Sequence, residues 1–212
     1  FKGVTSSGKT EIYVELIKKV LEKKMNVLFL VPEIALTTQL VIRLKKYFPN
    51  NLHVYHSGIN PNLRYEIWND LKSSVEPKVV LGARSSIFLP FNNLGLIIVD
   101  EENEVSYKQF KSSPLYNARD LAVYISKVMN SRCILASATP SIESFHNSKI
   151  KKYSLVQLNK RYGDFESPEL IFDDPSSDSS MLLSQMMISE IKKELENNKQ
   201  IIIFRNRRGY ST

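Results

Sequence analysis

Hydrophobic and polar residues along the first 158 positions alternate between two patterns. One pattern is helical, since Ile12, Leu16 and Val20 fall on one face of a helix over residues 11–23. The other is short and continuously apolar, as in residues 27–31. Short apolar strands that alternate with helices indicate a parallel sheet covered on both faces. The pattern therefore predicts an α/β domain with a central parallel sheet.

The remaining elements of this domain follow from the same two patterns. Helices are predicted over residues 36–47, 63–71 and 118–129, and strands over residues 53–56, 79–81, 96–99 and 133–136. Phe1 and Lys2 look like the last residues of a strand, which predicts that the chain is a piece of a longer protein. The first domain is expected to cover residues 1–158, with its first strand cut short.

Beyond residue 158 the alternation ends. Pro168, Pro175 and the serine-rich tract at 176–180 predict a linker over residues 159–180. A helix over 183–197 and a strand over 201–204 then predict the start of a second α/β unit in residues 181–212. Because a single strand cannot form a sheet, this second unit is expected to be incomplete.

Composition and charge narrow the class of protein. Hydrophobic residues make up 42% of the 212 positions and charged residues 24%, which is typical of a soluble globular protein. The apolar stretches are too short to cross a membrane, so no membrane partner is expected. The single cysteine, Cys133, excludes an intrachain disulfide and a four-cysteine zinc site and predicts a reducing cytoplasm. The net charge of +7 indicates either a well-solvated surface or a polyanionic partner.

The opening segment fits the phosphate-binding pattern G-x-x-x-x-G-K-[ST]. Gly3 and Gly8 allow successive N–H groups to point into a concavity, and Lys9 places a positive charge on the β- and γ-phosphates. Thr10 offers a hydroxyl to Mg²⁺ at the start of a helix. The nucleotide-binding residues are predicted to be Gly3, Val4, Thr5, Ser6, Ser7, Gly8, Lys9 and Thr10. The alternative is a glycine-rich turn with a threonine at a helix start.

Three acidic residues follow the strand predicted over 96–99. Ligands of open α/β sheets bind beyond the carboxyl ends of strands, so Asp100 is expected beside the phosphate loop. Asp100 is predicted to hold Mg²⁺ with Thr10, and Glu101 to orient the water that attacks the γ-phosphate. With Lys9, these two acids are the candidate catalytic residues. The alternative is an ordinary strand followed by a solvated charged loop.

Several short stretches after strands offer hydroxyls or an arginine, at residues 32–37, 56–58, 82–85 and 137–140. Such groups can hold a phosphodiester backbone, although serine and threonine after a strand are more often helix caps. Residues 106–116 interleave aromatic rings with lysines, and rings stack on unpaired bases unless they pack the loop down. The candidate DNA-binding residues from these stretches are Arg84, Ser85, Tyr107, Lys108, Phe110, Ser137 and Thr139.

Together these motifs resemble those of superfamily 2 DNA helicases, and more closely those of the bacterial primosomal replication-restart helicases, the PriA family. The matching motifs occur in order at residues 3–10, 31–37, 56–58, 82–90, 100–109, 116–120, 137–144 and 206–210. Val-Pro-Glu-Ile-Ala-Leu-Thr and Asn-Arg-Arg-Gly-Tyr are similar to family signatures. The resemblance implies a RecA-like helicase lobe, the start of a second RecA-like lobe, and ATP-driven 3′ to 5′ movement on DNA that restarts replication at stalled forks.

The resemblance also implies cofactors, partners and coupling residues. ATP and Mg²⁺ are the expected cofactors, in the cytoplasm. Single-stranded and forked DNA, replication-restart proteins and the machinery that loads the replicative helicase are the expected partners. The loop around residues 107–116 would link DNA binding to ATP hydrolysis, Ser137 and Thr139 would couple hydrolysis to movement, and Arg207 would contribute to nucleic-acid binding and coupling. Family members bind zinc through cysteines beyond residue 210, so zinc ligands are not expected in this chain.

Three residues depart from the family pattern. Ser6 replaces a glycine, and Asn103 and Asn117 each replace a histidine, which removes a group that can carry a proton. These departures keep open a nucleotide-gated DNA-binding module without motor activity. A metabolic kinase with a phosphate loop is a third interpretation, but it does not explain the net positive charge. The chain alone is expected to hydrolyse ATP weakly, because the late arginine motif and the other flanking regions are not in it.

Overall fold

The structure is a computed structural model that describes residues 1–35, 37–111, 113–163, 169–173 and 183–204. The chain divides into two compact units, Phe1–Phe165 and Glu166–Thr212. The first unit contains a five-stranded parallel sheet with helices packed on both faces. In the described part of the second unit, the only regular element is one helix.

The strands are β1 (Lys2–Gly3), β2 (Asn26–Leu30), β3 (Leu52–Tyr55), β4 (Val79–Gly82), β5 (Leu94–Asp100), β6 (Arg132–Ala136) and β7 (Gln157–Leu158). The five-stranded sheet has the order β3-β4-β2-β5-β6, and all its neighbours pair in parallel. Beside it, β1 pairs with β7 and forms a parallel bridge from Lys2 to Ser137, just after β6. The predicted α/β fold with a central parallel sheet is confirmed.

The helices are α1 (Lys9–Leu21), α2 (Thr38–Tyr47), α3 (Pro61–Ser73), α4 (Ala118–Val128), α5 (Ile142–Lys149) and α6 (Gln185–Glu196). Short 3₁₀ turns cover Glu33–Ala35, Arg84–Phe88 and Val105–Tyr107. Polar caps set several of the helix starts. For example, the Thr37 hydroxyl accepts a hydrogen bond from the Leu40 N–H at 3.3 Å, so α2 begins two residues later than predicted. None of the described helices is long and apolar enough to cross a membrane.

The core consists of two hydrophobic layers, one on each face of the sheet. One layer packs against α3 and α4 and includes Leu28, Leu30, Val80, Ile97 and Val99. The other packs against α1 and α2 and includes Val27, Phe29, Val79, Leu81 and Ile98. Successive residues of a strand point to opposite faces, so a strand buried on both faces is apolar at every position. This explains why the central strands were readily predicted.

Two features differ from the sequence predictions. Residues 201–204 were predicted to form a strand, but the structure assigns them none, and Ile202 is 93% exposed. Among the described residues no strand pairs with this segment, and an unpaired strand is not stable. The structure also adds α5 and β7, which the pattern did not predict. The described residues of the predicted linker, 159–163 and 169–173, contain no helix or strand.

Candidate functional site

The predicted site residues that the structure describes lie at one edge of the sheet because parallel strands end on the same side. Asp100, the last residue of β5, pairs in register with Ala136, the last residue of β6. The next residue, Ser137, exchanges backbone hydrogen bonds with the end of β1, where the Gly3 N–H reaches its carbonyl at 3.1 Å. The phosphate loop therefore begins beside both strand ends, although Lys9 and Asp100 are far apart in sequence.

The backbone of the phosphate loop explains its glycines. Gly8 precedes α1 with a φ of 82°, in the left-handed region that favours glycine. A Cβ on Gly3 would lie 2.9 Å from Ser7 Oγ and 3.0 Å from Lys9 Cγ, so a larger residue would displace the lysine. Ser6 also has a positive φ, of 61°, which is strained for a residue with a side chain. The shape of the phosphate loop therefore depends on these backbone conformations.

The loop has the donors that a phosphate group requires. The first N–H groups of α1 have no carbonyl one turn earlier to accept from them, and the helix dipole favours an anion there. Ser7 Oγ is buried without a hydrogen-bond partner in the described part of the chain. The Lys9 ammonium donates to the Gly3 carbonyl at 3.1 Å and is 12% exposed. Residues 6–11 line a pocket with Arg43 and Tyr162. These features fit a triphosphate.

Asp100 is held by two buried tyrosines. The Tyr13 hydroxyl, from α1, donates to Asp100 Oδ1 at 2.8 Å. The Tyr107 hydroxyl, from the loop after β5, donates to the Asp100 backbone carbonyl at 2.6 Å. Burial raises the pKa of the Asp100 carboxyl and also raises the pKa of both phenols. Sequence reasoning missed the role of Tyr13, because the residue has the helical spacing of an ordinary core position.

A chain of polar contacts connects the phosphate loop to residues 137–139. Lys9 Nζ lies 3.6 Å from Glu101 Oε1, and Glu101 Oε2 lies 3.2 Å from the buried Ser137 hydroxyl. Ser137 donates to Asn103 Oδ1 at 2.7 Å, and Asn103 Nδ2 lies 3.4 Å from the Thr139 hydroxyl. The structure thus brings together Lys9, Glu101, Ser137 and Thr139. Asn103 bridges the last two, which an asparagine can do without carrying a proton.

Glu102 anchors this edge and was not predicted. The residue is 3% exposed, and its carboxylate accepts hydrogen bonds from the Ser141 N–H at 2.7 Å and from the Ser141 and Ser144 hydroxyls at 3.0 Å each. Arg119 Nη1 lies 3.3 Å from Glu102 Oε2. Because Ser141 also caps α5, this carboxylate joins the end of β5 to α4 and α5. The serines at 141 and 144 were the only signal for it in the sequence.

A second cleft lies at the ends of β2, β3 and β4. It is lined by Val31, Pro32, Glu33, Ser57, Ala83, Arg84, Ser85, Ser106, Tyr107, Gln109 and Tyr116. Arg84 Nη1 donates to the carbonyls of Ser106 and Lys108 at 3.1 and 2.9 Å, which fixes the loop over residues 106–116 against the sheet. The cleft brings together three of the four post-strand stretches with the aromatic and basic loop. Residues 137–140 do not line it.

The two predicted stacking rings have different environments. Tyr107 is 1% exposed, so its ring cannot stack on a base in this structure, and its hydroxyl instead positions Asp100. Phe110 is 60% exposed, and Lys108 Nζ lies 5.1 Å from its ring centroid. A stacking role therefore fits Phe110 and not Tyr107. Asn117 caps α4 by accepting from the Arg119 N–H at 2.9 Å, which explains an asparagine there.

Two predictions about binding residues are not tested by this geometry. Arg207 lies outside the described residues. Within the described ranges no three histidine, cysteine or acidic side chains form a group that could hold a metal ion. The assignment of Mg²⁺ to Thr10 and Asp100 rests on one hydroxyl and one carboxylate, and it stays a prediction.

The sequence and the fold of this chain are similar to those of known proteins. The DEAD/DEAH box helicase family matches residues 1–147. The replication restart protein PriA of Rickettsia conorii is 45% identical over 99% of this chain, and that of Helicobacter pylori is 44% identical over 95% of it. A solved structure of RecG bound to a three-way DNA junction matches 69% of this chain and 18% of its own, at 24% identity and a TM-score of 0.50.

These similarities confirm the resemblance that the motifs predict, and with it the fold of a RecA-like helicase lobe. The chain spans about a third of the length of the PriA relatives, 33% and 31%. The remaining two thirds of those relatives have no counterpart in this sequence.

Proposed function

The chain belongs to the DEAD/DEAH box helicase family, and we propose that it supplies the ATP-binding lobe of a DNA helicase that acts in replication restart. The observation that carries this proposal is the contact chain from Lys9 through Glu101 to Ser137, which joins a phosphate loop to an acidic strand end. The PriA relatives, which are named as replication restart proteins, support the cellular role. The similarity to a helicase family argues against the metabolic kinase.

In this proposal each residue at the edge of the sheet has a separate task. Residues 3–10 bind the triphosphate, and Lys9 exchanges its contact with Glu101 for the β- and γ-phosphates. Glu101 is then free of its cation and can orient an attacking water, while its Oε2 stays 3.2 Å from the Ser137 hydroxyl. Thr10 and Asp100 would hold Mg²⁺, which would neutralise phosphate charge. Tyr13 keeps the Asp100 carboxylate in place.

Coupling to DNA follows from the second cleft. DNA that enters the cleft meets Arg84, Ser85 and the loop over residues 106–116, where Phe110 and Lys108 are exposed. A shift of this loop moves Tyr107, whose hydroxyl is bonded to the backbone of Asp100. Binding of DNA in the cleft therefore changes the position of a residue at the nucleotide site. Ser137 and Thr139 pass the state of Glu101 on to α5 through the segment before it.

The wider activity in this proposal belongs to the whole protein. It comprises ATP-driven 3′ to 5′ movement on single-stranded and forked DNA, a second lobe that begins after residue 180 and includes Arg207, and a zinc site beyond this chain. The partners are replication-restart proteins and the machinery that loads the replicative helicase, in the cytoplasm. These elements come from the resemblance, and the geometry of the first lobe is compatible with them.

Replacement of Lys9 tests the assignment of the phosphate loop. In the full-length protein, Lys9→Ala should lower ATP turnover at least ~100-fold, because the transferred phosphoryl group loses its positive partner. Binding of single-stranded DNA, measured by fluorescence anisotropy, should change less than about twofold, since Lys9 lies outside the second cleft. Lys19→Ala, on the same helix but away from the loop, is the matched control. Turnover retained in Lys9→Ala would exclude the proposed site.

A nucleotide-gated DNA-binding module is the second candidate, because Asn103 cannot carry the proton that a histidine could. The ATPase rate with single-stranded DNA separates the two functions. A motor should hydrolyse ATP severalfold faster with DNA, whereas the rate of a module should not respond. In either case ATP should alter the affinity for DNA.

A further inference from the structure

Glu101, which carries the candidate water-orienting carboxylate, has a strained backbone. Its φ is 47°, in the left-handed region where a residue with a Cβ is disfavoured. It directly follows Asp100, the last residue of β5, so the chain turns at Glu101 itself. Such a conformation persists only where the surrounding structure holds it. The contacts of the neighbouring residues therefore decide where the Glu101 side chain points.

The residues on both sides of Glu101 are fixed. Before it, Asp100 is held by two tyrosine hydroxyls. After it, the Glu102 N–H donates to the Ala136 carbonyl at 3.0 Å, which extends the pairing of β5 with β6 past the turn. Both oxygens of the Glu102 carboxylate have partners as well: Oε1 accepts from one backbone N–H, and Oε2 from two hydroxyls and a guanidinium.

Arg119 supplies that guanidinium from the start of α4. Its side chain is 14% exposed, and its Nη1 lies 3.3 Å from Glu102 Oε2 and donates to the Ser141 hydroxyl at 3.0 Å. Its Nε donates to Asp120 at 2.9 Å, and its backbone N–H donates to the capping side chain of Asn117. Because a buried carboxylate is costly without its partners, this network fixes Glu102 relative to α4 and α5.

The two neighbouring carboxylates have different partners. That of Glu101 lies 3.6 Å from Lys9 Nζ and 3.2 Å from the Ser137 hydroxyl, whereas that of Glu102 contacts α4 and α5. We propose that Glu102 and Arg119 are positioning residues for ATP hydrolysis, because they hold the turn that directs the Glu101 carboxylate at the attacking water. This inference rests on the proposed function, since it requires Glu101 to orient that water.

Steady-state ATP hydrolysis by the full-length protein with single-stranded DNA separates the effects on kcat and KM. Glu102→Gln keeps the shape of the side chain but removes the charge that pairs with Arg119, so kcat should fall at least ~10-fold. The KM for ATP should change less than about twofold, because residues 3–10 still bind the triphosphate. Arg119→Met should have the same effect. Arg119→Lys, which keeps a cation beside Glu102, should retain at least about a third of the wild-type kcat.

Asp70 supplies a matched control near the amino ends of β3 and β4. Its Oδ2 lies 2.7 Å from His53 Nε2 and 3.3 Å from Lys78 Nζ, so it too is a carboxylate paired with a cation. Asp70→Asn should leave both kcat and KM at their wild-type values. A loss of kcat in Asp70→Asn as large as in Glu102→Gln would overturn the inference, because loss of any ion pair of the domain would then be sufficient.

The Glu101→Gln background distinguishes positioning from a general structural role. If Glu102 acts through Glu101, adding Glu102→Gln to Glu101→Gln should lower kcat less than about twofold further, since the carboxylate to be positioned is already absent. Losses by the same factor in both backgrounds would show that Glu102 acts independently of Glu101, and the inference would be wrong. Unchanged kcat in Glu102→Gln, or a rise in KM alone, would exclude it as well.

Two further results keep the test decisive. Arg119→Met, alone and combined with Glu101→Gln, gives the same comparison if Glu102→Gln does not fold. Failure of the proposed function has a different signature, because Glu101→Gln by itself would then hydrolyse ATP as fast as the wild type.

Discussion

Ser6 shows how one residue can carry a local cost inside a binding loop. Its φ of 61° lies in the left-handed region, where a residue with a Cβ is disfavoured by about 1–2 kcal/mol. The family resemblance implies a glycine at this position, and glycine adopts this conformation without that cost. The cost does not disrupt the loop, because the Ser6 carbonyl accepts a hydrogen bond from Tyr162 and the next turn is fixed by α1.

Ser6→Gly should therefore make the protein more stable. Removal of the Cβ relieves the strain, while glycine adds conformational freedom to the unfolded chain, so we expect a net gain of about 0.5–1 kcal/mol in the free energy of unfolding. Urea denaturation measures it as a higher midpoint with an unchanged m-value. Thr5→Gly is the control, because Thr5 is exposed in the same loop and has no positive φ, so glycine there should not stabilise. Equal stability of Ser6→Gly and the wild type would mean that the loop stores no strain at Ser6.

Single residues also show what the sequence could not reveal about the site. Lys9, Asp100 and Glu101 could be predicted as candidates because phosphate chemistry dictates their residue types and spacing. The contacts of Tyr13 with Asp100 and of Glu102 with Ser141 join residues 87 and 39 positions apart, and no local pattern encodes them. Only the register of β5 and β6 and the docking of α1 bring these groups together.

Helices and strands also differ in whether a local sequence pattern is enough to predict them. Central strands were predicted well because burial on both faces leaves a continuous apolar run. In α5 the less exposed positions are the polar residues Ser144, Asn147 and Ser148, so no apolar face predicts this helix. Its start depends on the Ser141 cap. Residues 201–204 have the apolar run of a strand but no neighbour among the described strands. A local pattern predicts a strand only where the rest of the fold provides a partner.

The loop between β5 and α4 divides into a buried anchor and an exposed tip. Phe110→Ala in the full-length protein should raise the concentration of single-stranded DNA that half-stimulates the ATPase about tenfold, because a base loses its stacking surface. Leu115→Ala, at an exposed leucine of the same loop, should change that concentration less than about twofold. Tyr107→Phe should instead lower ATP turnover both with and without DNA, since it removes the hydroxyl that positions Asp100. An unchanged DNA requirement in Phe110→Ala would give its ring a packing role only.

At the scale of the whole molecule, the two units differ in how much core they have. The first unit has hydrophobic layers on both faces of its sheet, whereas α6 in the second unit has no buried residue among those described. Burial of apolar side chains is the dominant favourable contribution to folding. We therefore expect the first unit to provide nearly all the cooperative stability of the 212-residue chain.

Cys133, the single cysteine of the sequence, can report that stability. Its thiol lies on β6 beside α4, and burial raises its pKa to about 12, against about 8.5 in an unfolded chain. Only the thiolate reacts with a disulfide reagent, so at pH 8 the folded chain should be labelled at least ~100-fold more slowly than the chain in concentrated guanidinium. The reaction can be followed by the absorbance of the released thiolate.

The raised pKa of Cys133 determines how both the free energy of unfolding and the labelling rate change with pH. The neutral thiol favours the folded state fully below about pH 8.5, and this contribution is lost as the pH rises towards 12, because the unfolded chain ionises first. Between pH 7 and pH 10 the folded labelling rate should keep rising with pH, whereas the rate in guanidinium should level off above about pH 9. Glutathione under both solvent conditions is the reference for the intrinsic reactivity of a thiol. Labelling of the 212-residue chain in buffer as fast as in guanidinium would show that the first unit does not hold Cys133 in a folded core.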